Sequence, residues 1–258
     1  MEVGESRVTN LILRMLGPSV RSEIDDYVND VCSRDFMVMG SKEQVENIFR
    51  DSISNFLDSL SQDELLDLRT YTGYNYKNIN AILRNNWSYD VNGALTEEKR
   101  VEFKKLAEKI DEILSKFIMP QVNLVAFRGT TLDSFSSYGI SDISQLSSLG
   151  GKFLYEPAFT STSILEGTSY YNKKLDDGRF CNVGIRYLIP SESNDGALLF
   201  NEDTSYAVTQ NEFLLNKGSL SKVIDVKIDE QSRTAVLTLV LVPKKVYEKK
   251  QDRSRTGV

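Results

Sequence analysis

An α+β fold is predicted by three observations on the sequence. Helical periodicity fills the first half of the chain, short runs of strand character fill the second, and the two patterns do not alternate as repeated βαβ units would. No internal repeat or low-complexity linker divides the 258 residues, so the simplest organisation is a single domain over 1–258. It has a mainly helical part (1–120), a β-rich core (121–245) and a basic tail (246–258).

The helices follow from caps and stripes. Ser41 and Gln44 have the spacing of a capping box, and Val45, Ile48, Phe49, Ile53, Phe56, Leu57 and Leu60 follow on one helical face. Ser61 and Glu64 repeat the box ahead of Leu65, Leu66 and Leu68. A short helix holds Ile79, Ile82 and Leu83. Thr96 caps a further one, whose stripe of Leu106, Ile110, Ile113, Leu114 and Phe117 ends near Pro120. Strands then follow at 123–128, 181–189, 196–200, 212–215, 223–228 and 234–242. In 181–189, Val183, Ile185, Tyr187 and Ile189 share a face. The run 234–242 is nearly all apolar, which predicts a central strand.

Composition removes several classes of function. A net charge of −6 argues against binding nucleic acid through the whole surface. The one basic cluster, with Lys244, Lys245, Lys249, Lys250, Arg253 and Arg255, reads as a solvated tail. The absence of histidine excludes a Ser-His-Asp triad, a Cys-His protease and most zinc hydrolases. Cys32 and Cys181 form neither a disulfide framework nor a zinc site, so no metal is expected. Acid, base and nucleophile roles must fall to carboxylates, Lys, Tyr, hydroxyls or a cofactor. No apolar run is long enough to cross a bilayer, so no stable membrane association is expected. Arg14 interrupts the apolar residues near the start, and Glu2 and Glu5 precede them, which makes a poor signal peptide.

Four segments carry chemistry in a fixed order. YTGYNYKNINAILR (71–84) contains Tyr71, Asn80 and Arg84; AFRGT (126–130) contains Arg128; FTSTS (159–163) contains Ser161; and QNEFLL (210–215) contains Gln210 and Glu212. Taken singly, each has an ordinary structural reading: a surface Arg, a half-exposed strand, the polar start of a strand. Together, in this order, they resemble the mono-ADP-ribosyltransferases of the bacterial toxin type, including Rho-modifying exoenzymes and the catalytic domains of binary actin-modifying toxins. That family is recognised by an Arg on an early strand, a Ser-Thr-Ser strand, and a Glu two residues after a Glu or Gln. The resemblance implies helices packed on a mainly antiparallel core of two sheets, and an enzyme that cleaves NAD and transfers ADP-ribose to a protein side chain.

The chemistry suits these residue types. Breaking the glycosidic bond of NAD leaves positive charge on the ribose, which a fixed carboxylate stabilises. The leaving nicotinamide is already cationic, so no general acid is needed and a chain without histidine is not handicapped. The resemblance implies that Glu212 bonds a hydroxyl of the nicotinamide ribose and that Ser161 orients Glu212. It implies that Arg128 holds the NAD phosphates or braces the site, where a planar guanidinium serves better than Lys. Tyr71, Asn80 and Arg84 match positions that touch the adenine or phosphate end of NAD. Arg186 is a further phosphate candidate, although 165–179 reads as an insertion and an outward-facing charge is an equal alternative.

Gln210 bears on the acceptor. In the resembling family, Glu at this place goes with modification of Arg, and Gln with modification of Asn, notably in Rho-type GTPases. A carboxylate grips a guanidinium bidentately, whereas a carboxamide offers one donor and one acceptor to another carboxamide. The loop 201–209 is expected to meet the protein substrate, with Tyr206 as its aromatic contact, and an extended segment would put 210 and 212 on one face. The expected partner is a host protein such as a small GTPase or actin, reached by secretion or delivery without an evident signal peptide. An Arg-specific transferase and an NAD glycohydrolase are the enzymatic alternatives. A catalytically inactive relative that binds NAD or a partner ranks below them, because Arg128, Ser161 and Glu212 are all present.

Overall fold

The computed structural model describes residues 7–84, 95–169, 171–175, 178–199, 204 and 211–247. Among the described residues, five α-helices precede the first strand: α1 (Arg7–Cys32), α2 (Lys42–Asp58), α3 (Gln62–Thr70), α4 (Tyr76–Leu83) and α5 (Glu97–Ser115). A π-helical turn, Tyr71–Asn75, joins α3 to α4 around a non-helical Gly73. The caps form largely where the sequence puts them. Ser61 and Glu64 close a full capping box, and Thr96 accepts from the Lys99 amide. At α2, Ser41 accepts from the Gln44 amide, but the Gln44 side chain reaches back to the amide of Gly40, one residue beyond the box. The longest helix, α1, is not among those the periodicity predicts; Gly17 (φ 79) and Pro18 kink it.

Eight strands follow: β1 (Leu124–Thr130), β2 (Phe153–Glu156), β3 (Thr160–Ser163), β4 (Val183–Ile189), β5 (Gly196–Leu199), β6 (Glu212–Leu215), β7 (Ser219–Asp229) and β8 (Thr234–Val242). They form one sheet in the order β2-β7-β8-β4-β1-β3-β6-β5. Every pairing is antiparallel except β4 with β8. The two-sheet core is therefore corrected to one continuous sheet. The physical reason is the β1–β3 contact, whose register is the single pair Phe127↔Ser163. That pair joins a five-stranded part to the three-stranded part β3-β6-β5 across a seam. β8 is interior, as its apolar sequence requires.

Two cores hold the layers together. One lies between the helices α2 to α5 and the sheet. Phe117 is its hub, stacked on Phe49 (6.3 Å) and edge-on to Phe56 (5.4 Å) and Phe213 (6.3 Å). Such pairs add about 0.5–1.5 kcal/mol beyond the area they bury, so β6, which carries Phe213 next to Glu212, is tied to the helical layer. The other core packs Leu13, Leu16, Val20, Ile24, Val28 and Val31 of α1 on Phe153, Leu220, Val240, Val242 and Tyr247.

Candidate active site

Glu212 is the first residue of β6 and is 7% exposed. In register it stands across from Ser163, while Ser161 stands across from Leu214. Directly opposed residues share a face, so Ser161 and Ser163 both lie on the face of Glu212, Ser163 opposite and Ser161 diagonal to it. The Ser163 hydroxyl engages the Thr168 hydroxyl and the Leu165 amide. On the other face of β3, Thr162 donates to the Phe213 carbonyl (2.6 Å) and locks β3 to β6. The same row runs on across the seam through Phe127 to Arg186. At a strand spacing of about 4.8 Å, that puts Arg186 roughly 14 Å from Glu212 along the row. The Arg186 side chain is half-exposed and lies 3.8 Å from Glu166.

Arg128 works at the seam itself. Its Nη1 donates to the Ser161 carbonyl at 2.7 Å, where a ladder bond between β1 and β3 would otherwise lie. From the helical side, α4 brings Asn80 and Arg84, one turn apart and therefore on one face. Both dock on the link between β2 and β3. Asn80 Oδ1 accepts from the Phe159 amide (3.3 Å), and Arg84 Nε donates to Glu156 Oε1 (2.9 Å), which also accepts from the Ala158 amide (2.9 Å). Tyr71 is 3% exposed, exchanges hydrogen bonds with the Asn80 carboxamide and sits edge-on to Phe159 at 5.0 Å.

Electrostatics locate these charges relative to one another. Burial pushes the Tyr71 hydroxyl well above its ordinary range. The Asn80 hydrogen bond opposes this, and the charges of Glu212, Arg84 and Arg128 all bear on it. Tyr187 is pushed up to about 12, again by burial first, with Arg128, Glu156 and Arg84 among its charged neighbours. The carboxylates of Glu212 and Glu156 and the guanidinium groups of Arg84 and Arg128 therefore lie near these two buried tyrosines. The sequence does not single out Glu156, and it shows Tyr187 only as one residue on a face of its strand; tertiary pairing brings both to the site. Gln210 and Tyr206 lie outside the described residues, as does the tail from 248 onward. Asn211 is described, and its backbone is left-handed (φ 46) immediately before β6. Among the described residues no cluster of His, Cys, Asp and Glu could hold a metal ion, and no helix is long and apolar enough to cross a membrane.

Helices packed on a mainly antiparallel sheet, an Arg reaching across a seam, serines on the next strand and a buried Glu beyond them are the features of a mono-ADP-ribosyltransferase of the bacterial toxin type. The profile of the ADP-ribosyltransferase exoenzymes matches residues 47–244, and the chain belongs to that family. It is an NAD⁺–protein ADP-ribosyltransferase by class. Solved structures share the fold at low identity. C3stau2 from S. aureus, solved with NAD, aligns with a TM-score of 0.63 and 18% identity over 82% of this chain and 100% of that one. The C3 exoenzyme of Clostridium limosum gives 0.59 and 20% over 81% and 98%. The enzymatic component C2-I of the Clostridium botulinum C2 toxin gives 0.56 and 22% over 81% of this chain and 49% of that one. Among curated protein sequences none matches.

Proposed function

We propose that this chain, acting as one domain, transfers ADP-ribose from NAD to an Asn side chain of a host protein of the Rho-type GTPase class. The observation that carries this reading is Gln210 two residues before Glu212, the buried carboxylate opposite the serines of β3. Gln210 matches the acceptor carboxamide, Tyr206 supplies an aromatic contact, and the fold shared with C3 exoenzymes is compatible with both.

The site fits the dinucleotide. Arg84 and Arg128 supply two guanidinium forks for its phosphates, Asn80 and Tyr71 hold the helix that carries Arg84, and Arg186 offers a third cation along the row. When bound, NAD supplies a leaving group that already bears positive charge. Glu212 stabilises the charge that develops on the ribose, with Ser161 diagonal to it to orient the carboxylate. Arg128, anchored on the Ser161 carbonyl, holds the spacing between phosphate and carboxylate. The experiment is transfer from labelled NAD to a purified small GTPase and to a cell lysate, with mass spectrometry of the modified residue. Gln210→Ala is expected to lose transfer while keeping most NAD hydrolysis. Label on Arg in the parent, or equal loss of both activities in Gln210→Ala, would refute the Asn reading.

A further inference from the structure

Three non-glycine residues among those described have left-handed backbone: Asn172 (φ 59), Asn211 (φ 46) and Arg233 (φ 53). Asn172 and Arg233 are exposed, whereas Asn211 is 3% exposed and immediately precedes Glu212. Its carbonyl accepts from the Ile164 amide at 3.2 Å, one step beyond the last β3–β6 pair, Ser163↔Glu212. The peptide is therefore pinned to β3 at the point where the chain turns out of the sheet. Its side-chain Oδ1 is buried with no hydrogen-bond partner. A position occupied for the bonds of that oxygen would not leave it unsatisfied. What Asn supplies here is tolerance of a conformation that most L residues resist and only Gly and, to a lesser degree, Asn and Asp accept. Departures from ordinary backbone geometry that persist in a buried place collect beside functional groups.

We infer that Asn211 is a positioning residue for the transfer reaction. Its left-handed backbone ends β6 at Glu212 and fixes the angle at which that carboxylate leaves the sheet. The inference rests on the role proposed for Glu212, and it concerns kcat rather than NAD affinity, because the phosphate groups are held elsewhere by Arg84 and Arg128.

Asn211→Gly keeps the conformation and removes the carboxamide; Asn211→Ala penalises the conformation. With NAD hydrolysis and thermal melting measured together, Asn211→Ala is expected to lose about ten- to a hundredfold in kcat, the scale of a small misplacement at a reacting centre, with KM for NAD little changed. Asn211→Gly is expected to restore kcat to near the parent value. Parental kcat in Asn211→Ala overturns the inference, even if its melting temperature falls. Equal loss of kcat in both variants overturns it too, since the carboxamide would then be what matters. If Asn211→Ala does not fold, Asn211→Gly decides alone: full kcat upholds the inference and a folded, inactive protein refutes it. Glu212→Gln run alongside separates the layers. If that variant hydrolyses NAD like the parent, the reading of Glu212 fails and the inference falls with it. If it is dead while Asn211→Ala is fully active, only the inference fails.

Discussion

At the scale of single residues, the site divides between side chains that meet the substrate and side chains that aim others. In the proposed site Glu212 is in the first group. Glu212→Gln keeps the size but removes the charge that the proposed mechanism relies on in the transition state. It is expected to cost at least about a hundredfold in kcat with NAD affinity largely retained, as titration calorimetry beside a hydrolysis assay will show; a variant as active as the parent refutes the assignment. Glu156 is in the second group. It accepts from Arg84 Nε and from the Ala158 amide, and in the proposed site it steadies Arg84 for a phosphate of NAD. Arg84 and Glu156 have side chains 39% and 34% exposed, so Glu156→Ala should change stability by less than about 1 kcal/mol. It should raise KM for NAD several-fold with kcat little altered, and Glu156→Gln, which retains an acceptor, should recover most of the loss. An unchanged KM in Glu156→Ala would show that Arg84 needs no such partner. The two groups differ in how the sequence displays them. Arg128, Ser161 and Glu212 stand in ordered motifs whose residue types and spacing suit the proposed chemistry. Glu156 and Tyr187 are defined by neighbours distant in the chain, Arg84 for both and Arg128 for Tyr187, and no motif marks them.

At the scale of elements, the three-stranded part β3-β6-β5 is the platform for the carboxylate, and its fit is tight at Gly196. A Cβ built there would lie 2.6 Å from the Leu214 carbonyl oxygen and 2.7 Å from the Phe213 ring. The oxygen is backbone and cannot move without shifting β6. Gly196→Ala is therefore expected to cost about 1–3 kcal/mol, the usual range for overpacking, read from chemical denaturation. It should also lower kcat, because the displaced strand carries Glu212. Stability and kcat both equal to the parent would mean that β5 yields instead. The elements also show what periodicity reads well. Caps and stripes foretold α2, α3, α4 and α5 because those signals are local. β2 was not foretold, being four residues long and half-buried, and a kinked α1 spreads its apolar face over two short helical runs. Joining of the strands into one sheet through a single register pair is a tertiary event that alternation within a strand does not encode.

At the scale of the whole molecule, α1 lies N-terminal to the family-matched segment yet is built into the structure. Beyond its apolar face, it is fastened by Glu192, which accepts from Tyr27 (2.9 Å) and from Arg34 (2.8 and 2.9 Å). Burial raises the Glu192 carboxyl, but hydrogen bonds from Arg34 and Tyr27 and the Arg34 charge outweigh it and hold the group below its ordinary 4.5. A carboxylate depressed in the folded state contributes stability that is present above its unfolded pKa and lost as pH falls through the folded one. Glu192→Gln should therefore melt below the parent at neutral pH, with the gap closing as pH falls beneath 4.5. A gap that persists unchanged in acid would show that the charge is not what fastens α1. The packing of α1 also has a consequence in time. Its apolar face is covered by Phe153, Leu220, Val240, Val242 and Tyr247, all beyond the middle of the chain. During synthesis or refolding, α1 is made well before the strands that cover it, and closing so long a loop is slow. Until β7 and β8 form, Ile24, Val28 and Val31 face water, so α1 is a segment that a chaperone would hold.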